Sequence, residues 1–407
     1  MSTRQVKSRL SIRLAAQEPR VKAIYVGTYI PRECGIATFT KDLTNAVNLL
    51  NPTYLADIIA IDDIAVASES EPKRSYPWEV KFKINQEDLA SWLAAADYIN
   101  QSSAQIVNLQ HEFGIYGGQR GEYVLPFMER IRKPIVITLH TVMPDPDIVL
   151  QEMVGRMAKL ASAVVVMVET AAHRLVEKYQ IDPEKIVVIP HGVPDVPLID
   201  PDSRKKRFRL FGQNVITSFG LLNRGKGYEY LIKALPQVLE RHPNTKLMLI
   251  GETHPVIFRQ EGESYRRELE ELVDDLKLSR QVTFINKYLA LDQLINYLVA
   301  SDIYVTPYLN LHQITSGTLA YAIGAGRACV STPYLYAQEV FNEGRGLLIE
   351  PRDANELAEK IIYLLDKPKI RREMMQRAYA FGRGMIWSRV GLKYLELFRL
   401  VADRDDV

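Results

Sequence analysis

The chain alternates short, continuously apolar runs with longer stretches whose apolar residues recur at helical spacing, a rhythm that holds from residue 21 almost to the end. Residues 21–27 read as a buried strand, a turn containing Pro31, Cys34 and Gly35 follows, and helical spacing runs over 37–50. Strands are predicted at 54–61, 106–110, 135–139, 163–168 and 186–189, with helices over 88–99, 121–131, 149–161 and 171–179. Strands that are apolar on both faces belong to parallel sheets sheathed by helices, so this half reads as an α/β domain.

The stretch 190–206, with Pro190, Pro194, Pro197 and Pro201 and a charged end, has linker composition. The pattern then restarts: strands at 215–219, 246–250 and 281–285, and helices at 228–241, 262–278, 291–300 and 354–365. A polar, Arg-rich tail (1–20), a first domain (21–198), a second domain (199–385) and a terminal helix (386–407) that reaches back across the linker are the expected organisation. Two doubly wound, Rossmann-like domains would face each other across a cleft, because ligands bind outside the carboxyl ends of parallel strands.

Composition narrows the function. With 51 basic and 49 acidic residues the net charge is +2, so no clustered excess of cations for a nucleic acid is expected. Cys34 and Cys329, the two cysteines, cannot form a metal cage and suggest free thiols in reducing surroundings. No apolar run approaches the ~20 residues of a membrane span and no signal-peptide core follows the basic start, so a cytoplasmic protein without a firm membrane signal is expected, its oligomeric state open.

Three groups of residues carry candidate chemistry. Residues 302–333 read as strand, polar loop, short helix, glycine turn and strand, with Gln313, Thr315, Ser316, Gly317 and Thr318 at the helix start. Unpaired amides and the positive end of a helix dipole favour a phosphate there. The loop Gly220-Leu-Leu-Asn-Arg224-Gly-Lys226-Gly227 lies between a strand and a helix and offers two cations as a diphosphate clamp, although such a turn also occurs with its charges merely solvated. His111, His140 and His191 each follow a strand, where they can bind sugar hydroxyls or shuttle a proton. Gly35 and Ile36 can approach the same phosphates from the first domain, or belong to a plain turn. A histidine metal site with Glu112 or Asp145 matches no compact ligand spacing, and no Gly-x-Ser-x-Gly elbow of a hydrolase occurs.

Jointly, Ile189-Pro-His191-Gly-Val, Phe219 to Gly227, Gly251 and 302–333 resemble the retaining glycosyltransferases of family 4, which have the GT-B fold. The resemblance covers nearly all of the chain after residue 20. It implies transfer of a hexose from a nucleotide diphosphate sugar, bound mainly by the C-terminal domain, to a saccharide or other hydroxyl acceptor bound mainly by the N-terminal one. It implies no metal or other cofactor. Arg224, Lys226, His111 and His140 would act in catalysis, and Glu339 matches a family glutamate. The family's two glutamates, eight positions apart, correspond to Gln313 and Tyr321, so this is an atypical subgroup, and Leu221 stands where a family arginine is usual. A glycoside phosphorylase, a nucleotide-sugar epimerase and a non-catalytic nucleotide-sugar sensor remain as alternatives.

Overall fold

Seven strands pair side by side in one direction. In the computed structural model, which describes residues 21–63 and 74–405, they are β1 (Ala23–Gly27), β2 (Asp57–Asp62), β3 (Val80–Asn85), β4 (Ile106–His111), β5 (Ile135–Leu139), β6 (Ala163–Val166) and β7 (Ile186–Val188). They form a parallel sheet in the order β3-β2-β1-β4-β5-β6-β7. The expected tail, residues 1–20, lies outside the described residues. Strand β3 was not anticipated, because as an edge strand it alternates exposed lysines with Val80, Phe82 and Ile84 instead of forming an apolar run.

A second parallel sheet contains β8 (Asn214–Phe219), β9 (Thr245–Ile250), β10 (Val282–Ile285), β11 (Ile303–Thr306), β12 (Ala328–Ser331) and β13 (Leu347–Leu348), ordered β10-β9-β8-β11-β12-β13. The helix expected over 262–278 is found at Ser264–Asp275, and a further helix that was not anticipated, Pro255–Glu261, precedes it and ends at Gly262 with φ +62°. A helix at Pro368–Gly382 went unread.

Each sheet reverses its winding once, between β1 and β4 and between β8 and β11. Loops leaving these strand pairs part in opposite directions and open a crevice at their carboxyl ends, where α/β sheets bind ligands. One apolar cluster runs through both domains and joins Val26 and Val166 to Val193, Tyr304, Leu319 and Ile323.

The chain crosses between domains twice. The first crossing holds a helical turn, Pro201–Lys205, and is pinned: buried Arg327 donates to the carbonyl of Ile199 at 2.9 Å and to those of Val299, Ser301 and Ala325. At the second, Val193 accepts from Trp387 N at 3.0 Å and donates to Met385 O at 2.8 Å. The helix Trp387–Asp405 then lies on the first domain, where Val390, Tyr394, Leu395 and Phe398 pack with Tyr25, Phe39 and Leu43.

Candidate active site

On the C-terminal side the site is built from the loops that follow β8 and β11. Gly227 has φ +64°, and a Cβ there would collide with Pro307 O, so only glycine lets loop 220–227 seat against the segment after β11. That seating puts Lys226 Nζ 3.8 Å from the centre of the Tyr308 ring, beside Gly220 and Thr318. Tyr308 and Thr318 share a hydrogen bond of 2.8 Å, and Ser316 caps the helix Gly317–Gly324 by accepting from Leu319 N at 3.3 Å. A half-buried ammonium with no carboxylate partner among the described residues thus lies over the ring of Tyr308, whose hydroxyl is joined to Thr318 and through it to Ser316 at the helix N-terminus. Burial, followed by the charges of Lys226, Arg259 and Arg32, holds His254 below its ordinary pKa.

Arg224 corrects the expectation of a two-cation clamp. It is exposed and makes two 2.6 Å bonds to Glu268, with Glu261 3.7 Å away, because the turn Arg224–Lys226 directs it toward the helix Ser264–Asp275 and away from the crevice.

In the N-terminal half, Phe39 lies edge-on to both His140 (4.9 Å) and His191 (5.2 Å), which gathers the ends of β5 and β7 under the helix Gly35–Leu50. His191 Nδ1 donates to Gly192 O at 2.7 Å, leaving Nε2 to face Gly317, where an added Cβ would stand 3.0 Å from it. Burial lowers the pKa of His191 to about 4 and that of His140 to about 3, so both are neutral around pH 7. His111 corrects another expectation. Its ring does not line an open cleft: it is fully enclosed, with Phe113 edge-on at 4.9 Å and Tyr116 stacked at 5.1 Å, because the chain folds back over β4. Neither ring nitrogen has a hydrogen-bond partner among the described residues. Gly35 is exposed in open space, and Ile36 is half-buried against the core.

Several expected ligand-binding residues instead join the two domains. Glu339 is corrected most sharply: its carboxylate accepts from Glu169 N (2.8 Å), Thr170 N (2.9 Å) and Thr170 Oγ1 (2.8 Å), capping the opposite domain's helix Glu169–Tyr179. Thr315 donates to Met167 Sδ at 3.7 Å, and the Gln313 amide donates to Thr315 O at 2.6 Å within its own loop. Tyr321 is buried and reaches Asp42 in the N-terminal domain. Tyr288 shares a 2.9 Å hydrogen bond with Thr38. Asp42, Arg32, His254 and Tyr308 were not anticipated. Asp42 sits mid-helix after Lys41, and nothing local marks it as a buried cleft acid. No cluster of three or more His, Cys, Asp or Glu side chains that could hold a metal ion occurs among the described residues.

Two family models match, the description "Glycosyltransferase Family 4" over residues 63–195 and "Glycosyl transferases group 1" over residues 200–381. A phosphatidyl-myo-inositol mannosyltransferase of Mycolicibacterium smegmatis is 26% identical over 223 residues, 53% of this chain, and the chain spans 52% of that relative's length. Sucrose-phosphate synthase from Thermosynechococcus elongatus superposes with a TM-score of 0.75 at 17% identity, covering 94% of this chain and 100% of that one. Anabaena Alr3699/HepE in complex with UDP-glucose superposes with a TM-score of 0.68 at 16% identity, covering 92% and 98%. With both domains matched and the two parallel sheets in place, the chain belongs to the family 4 glycosyltransferases of GT-B fold.

Proposed function

We propose that the protein transfers a hexose from a nucleotide diphosphate sugar to a hydroxyl acceptor, a saccharide being the favoured class, with retention at the anomeric carbon. The observation that carries this is Lys226: a half-buried cation without a counter-ion among the described residues, set beside Gly220, Thr318 and the N-terminus of the helix Gly317–Gly324. Such a pocket is complementary to a diphosphate, and the clamp is one cation plus amides and hydroxyls. Charge builds on the phosphate as the C1–O bond to the leaving group loosens. The acceptor oxygen bonds to C1 on the same face and its proton passes to the departing phosphate. Lys226 stabilises that charge, while neutral His140 and His191 are placed to receive hydroxyl hydrogen bonds. Alr3699/HepE binds UDP-glucose and the mannosyltransferase relative is named for an inositol lipid, so glucose and mannose donors are the first to try.

The test is incubation with UDP-, GDP- and ADP-sugars, with and without saccharide and inositol acceptors, following released nucleotide and reading the product's anomeric configuration by NMR. Donor-dependent nucleotide release with retained configuration supports the proposal. Tight nucleotide binding with no release under any pairing would favour a sensor, a reading that the Tyr321–Asp42 contact across the cleft keeps in play. Sugar 1-phosphate formed from oligosaccharide and phosphate would favour a phosphorylase.

A further inference from the structure

We propose that Gln110 is a positioning residue that holds His140 in one tautomer, so that Nδ1 of the imidazole is presented as the acceptor for a substrate hydroxyl. Val136 O can only accept, so the 3.2 Å contact from Asn108 Nδ2 fixes the orientation of that amide. Asn108 Oδ1 then accepts from Gln110 Nε2 at 2.5 Å, which leaves Gln110 Oε1 facing His140 Nε2 at 2.9 Å. An oxygen in that position requires a proton on Nε2. Reversing either amide would set acceptor against acceptor in a buried place, since Asn108 and Gln110 are wholly buried and His140 is 8% exposed.

Local structure explains why the relay is rigid. Asn108 and Gln110 are two apart on β4 and share one face of the sheet. Tyr116 Oη donates to Gln110 O at 3.0 Å, and β1 passes so close that a Cβ at Gly27 would stand 2.9 Å from Gln110 Cβ. His140 Nδ1 has no hydrogen-bond partner among the described residues and is the ring's one unused polar atom. Burial, then the neighbouring His191 and His111, lower the imidazole's pKa to about 3, so the lone pair persists through the neutral range.

The assignment of a substrate hydroxyl rests on the transfer reading; the tautomer does not. Imidazole nitrogen NMR of the ¹⁵N-histidine-labelled protein, with His140 assigned through a His140→Gln variant, reads the tautomer directly. A protonated Nε2 and bare Nδ1 at pH 7 are expected, and a protonated Nδ1 would overturn the proposal. Gln110→Met removes the acceptor with little change of volume and should lower kcat/KM by about 10- to 100-fold, the loss set by an unsatisfied buried N–H. Gln110→Glu sets a carboxylate against Nε2–H, raises the His140 pKa and should add an ionisation below which activity falls. If neither variant changes the rate or pH profile while both stay folded by circular dichroism, the positioning role is wrong. Absence of nucleotide release by the wild type would instead reject the transfer reading and leave the tautomer result standing.

Discussion

Tyr321 donates its hydroxyl to Asp42 Oδ2 at 3.3 Å, joining the helix Gly317–Gly324 of one domain to the helix Gly35–Leu50 of the other. Burial raises the Asp42 pKa from 3.8 to about 6, against the opposing effects of Tyr321 and Lys41. A raised folded-state pKa means that the carboxyl favours the folded form below pH 3.8 and loses that contribution as pH rises through about 6. Asp42→Asn should therefore gain on the wild type between pH 4 and pH 7.5, by on the order of 1–3 kcal/mol. Thermal unfolding of both proteins across that range measures the gap, and a gap independent of pH would contradict it.

Lys226→Ala should reduce donor turnover by about 10²- to 10³-fold, the usual cost of deleting one preorganised donor to a developing charge. It should also weaken the melting-temperature shift produced by free nucleotide diphosphate. An unaltered kcat with normal nucleotide binding would remove Lys226 from the site.

Arg224→Ala provides the contrast. Its guanidinium is half-exposed and committed to Glu268, so the variant should keep its rate within about threefold and lose under ~1 kcal/mol of stability. A collapse of activity equal to that of Lys226→Ala would show that Arg224 swings into the crevice on binding.

Glu339→Ala strips the cap from the helix Glu169–Tyr179 and one tie between domains. The expected outcome is a loss of about 1 kcal/mol in stability, the usual scale of a helix cap, with a larger radius of gyration in small-angle scattering. Restoration of the wild-type radius by saturating nucleotide diphosphate would locate the loss at the cleft. An unchanged radius and melting temperature would argue against the tie.

His111 gives a test with the opposite pH sign to Asp42. Its pKa is depressed by burial from 6.5 to about 3, so its neutral packing favours the fold above pH 6.5 and is lost as pH falls toward 3. His111→Phe should raise stability by about 2 kcal/mol more at pH 5 than at pH 8. Equal effects at the two pH values would mean that the ring is accessible and titrates normally.

Strand and helix identities, two α/β halves and the pair of loops around Lys226 and Ser316 were legible because they depend on local patterns: β-branched runs, helical spacing, and glycine and hydroxyl residues at turns. The side chains' partners were not legible. Arg224 and Lys226 are two residues apart in one turn, yet one pairs with Glu268 and the other faces the crevice, since the choice depends on a helix some forty residues away. Glu339 finds its partners 169 and 170 positions away, His111 is covered by the return of its own chain, and half-buried Asp42 finds its tyrosine partner in the other domain. Burial and charge pairing are sums over neighbours distant in sequence, which is why tertiary structure alone determined them.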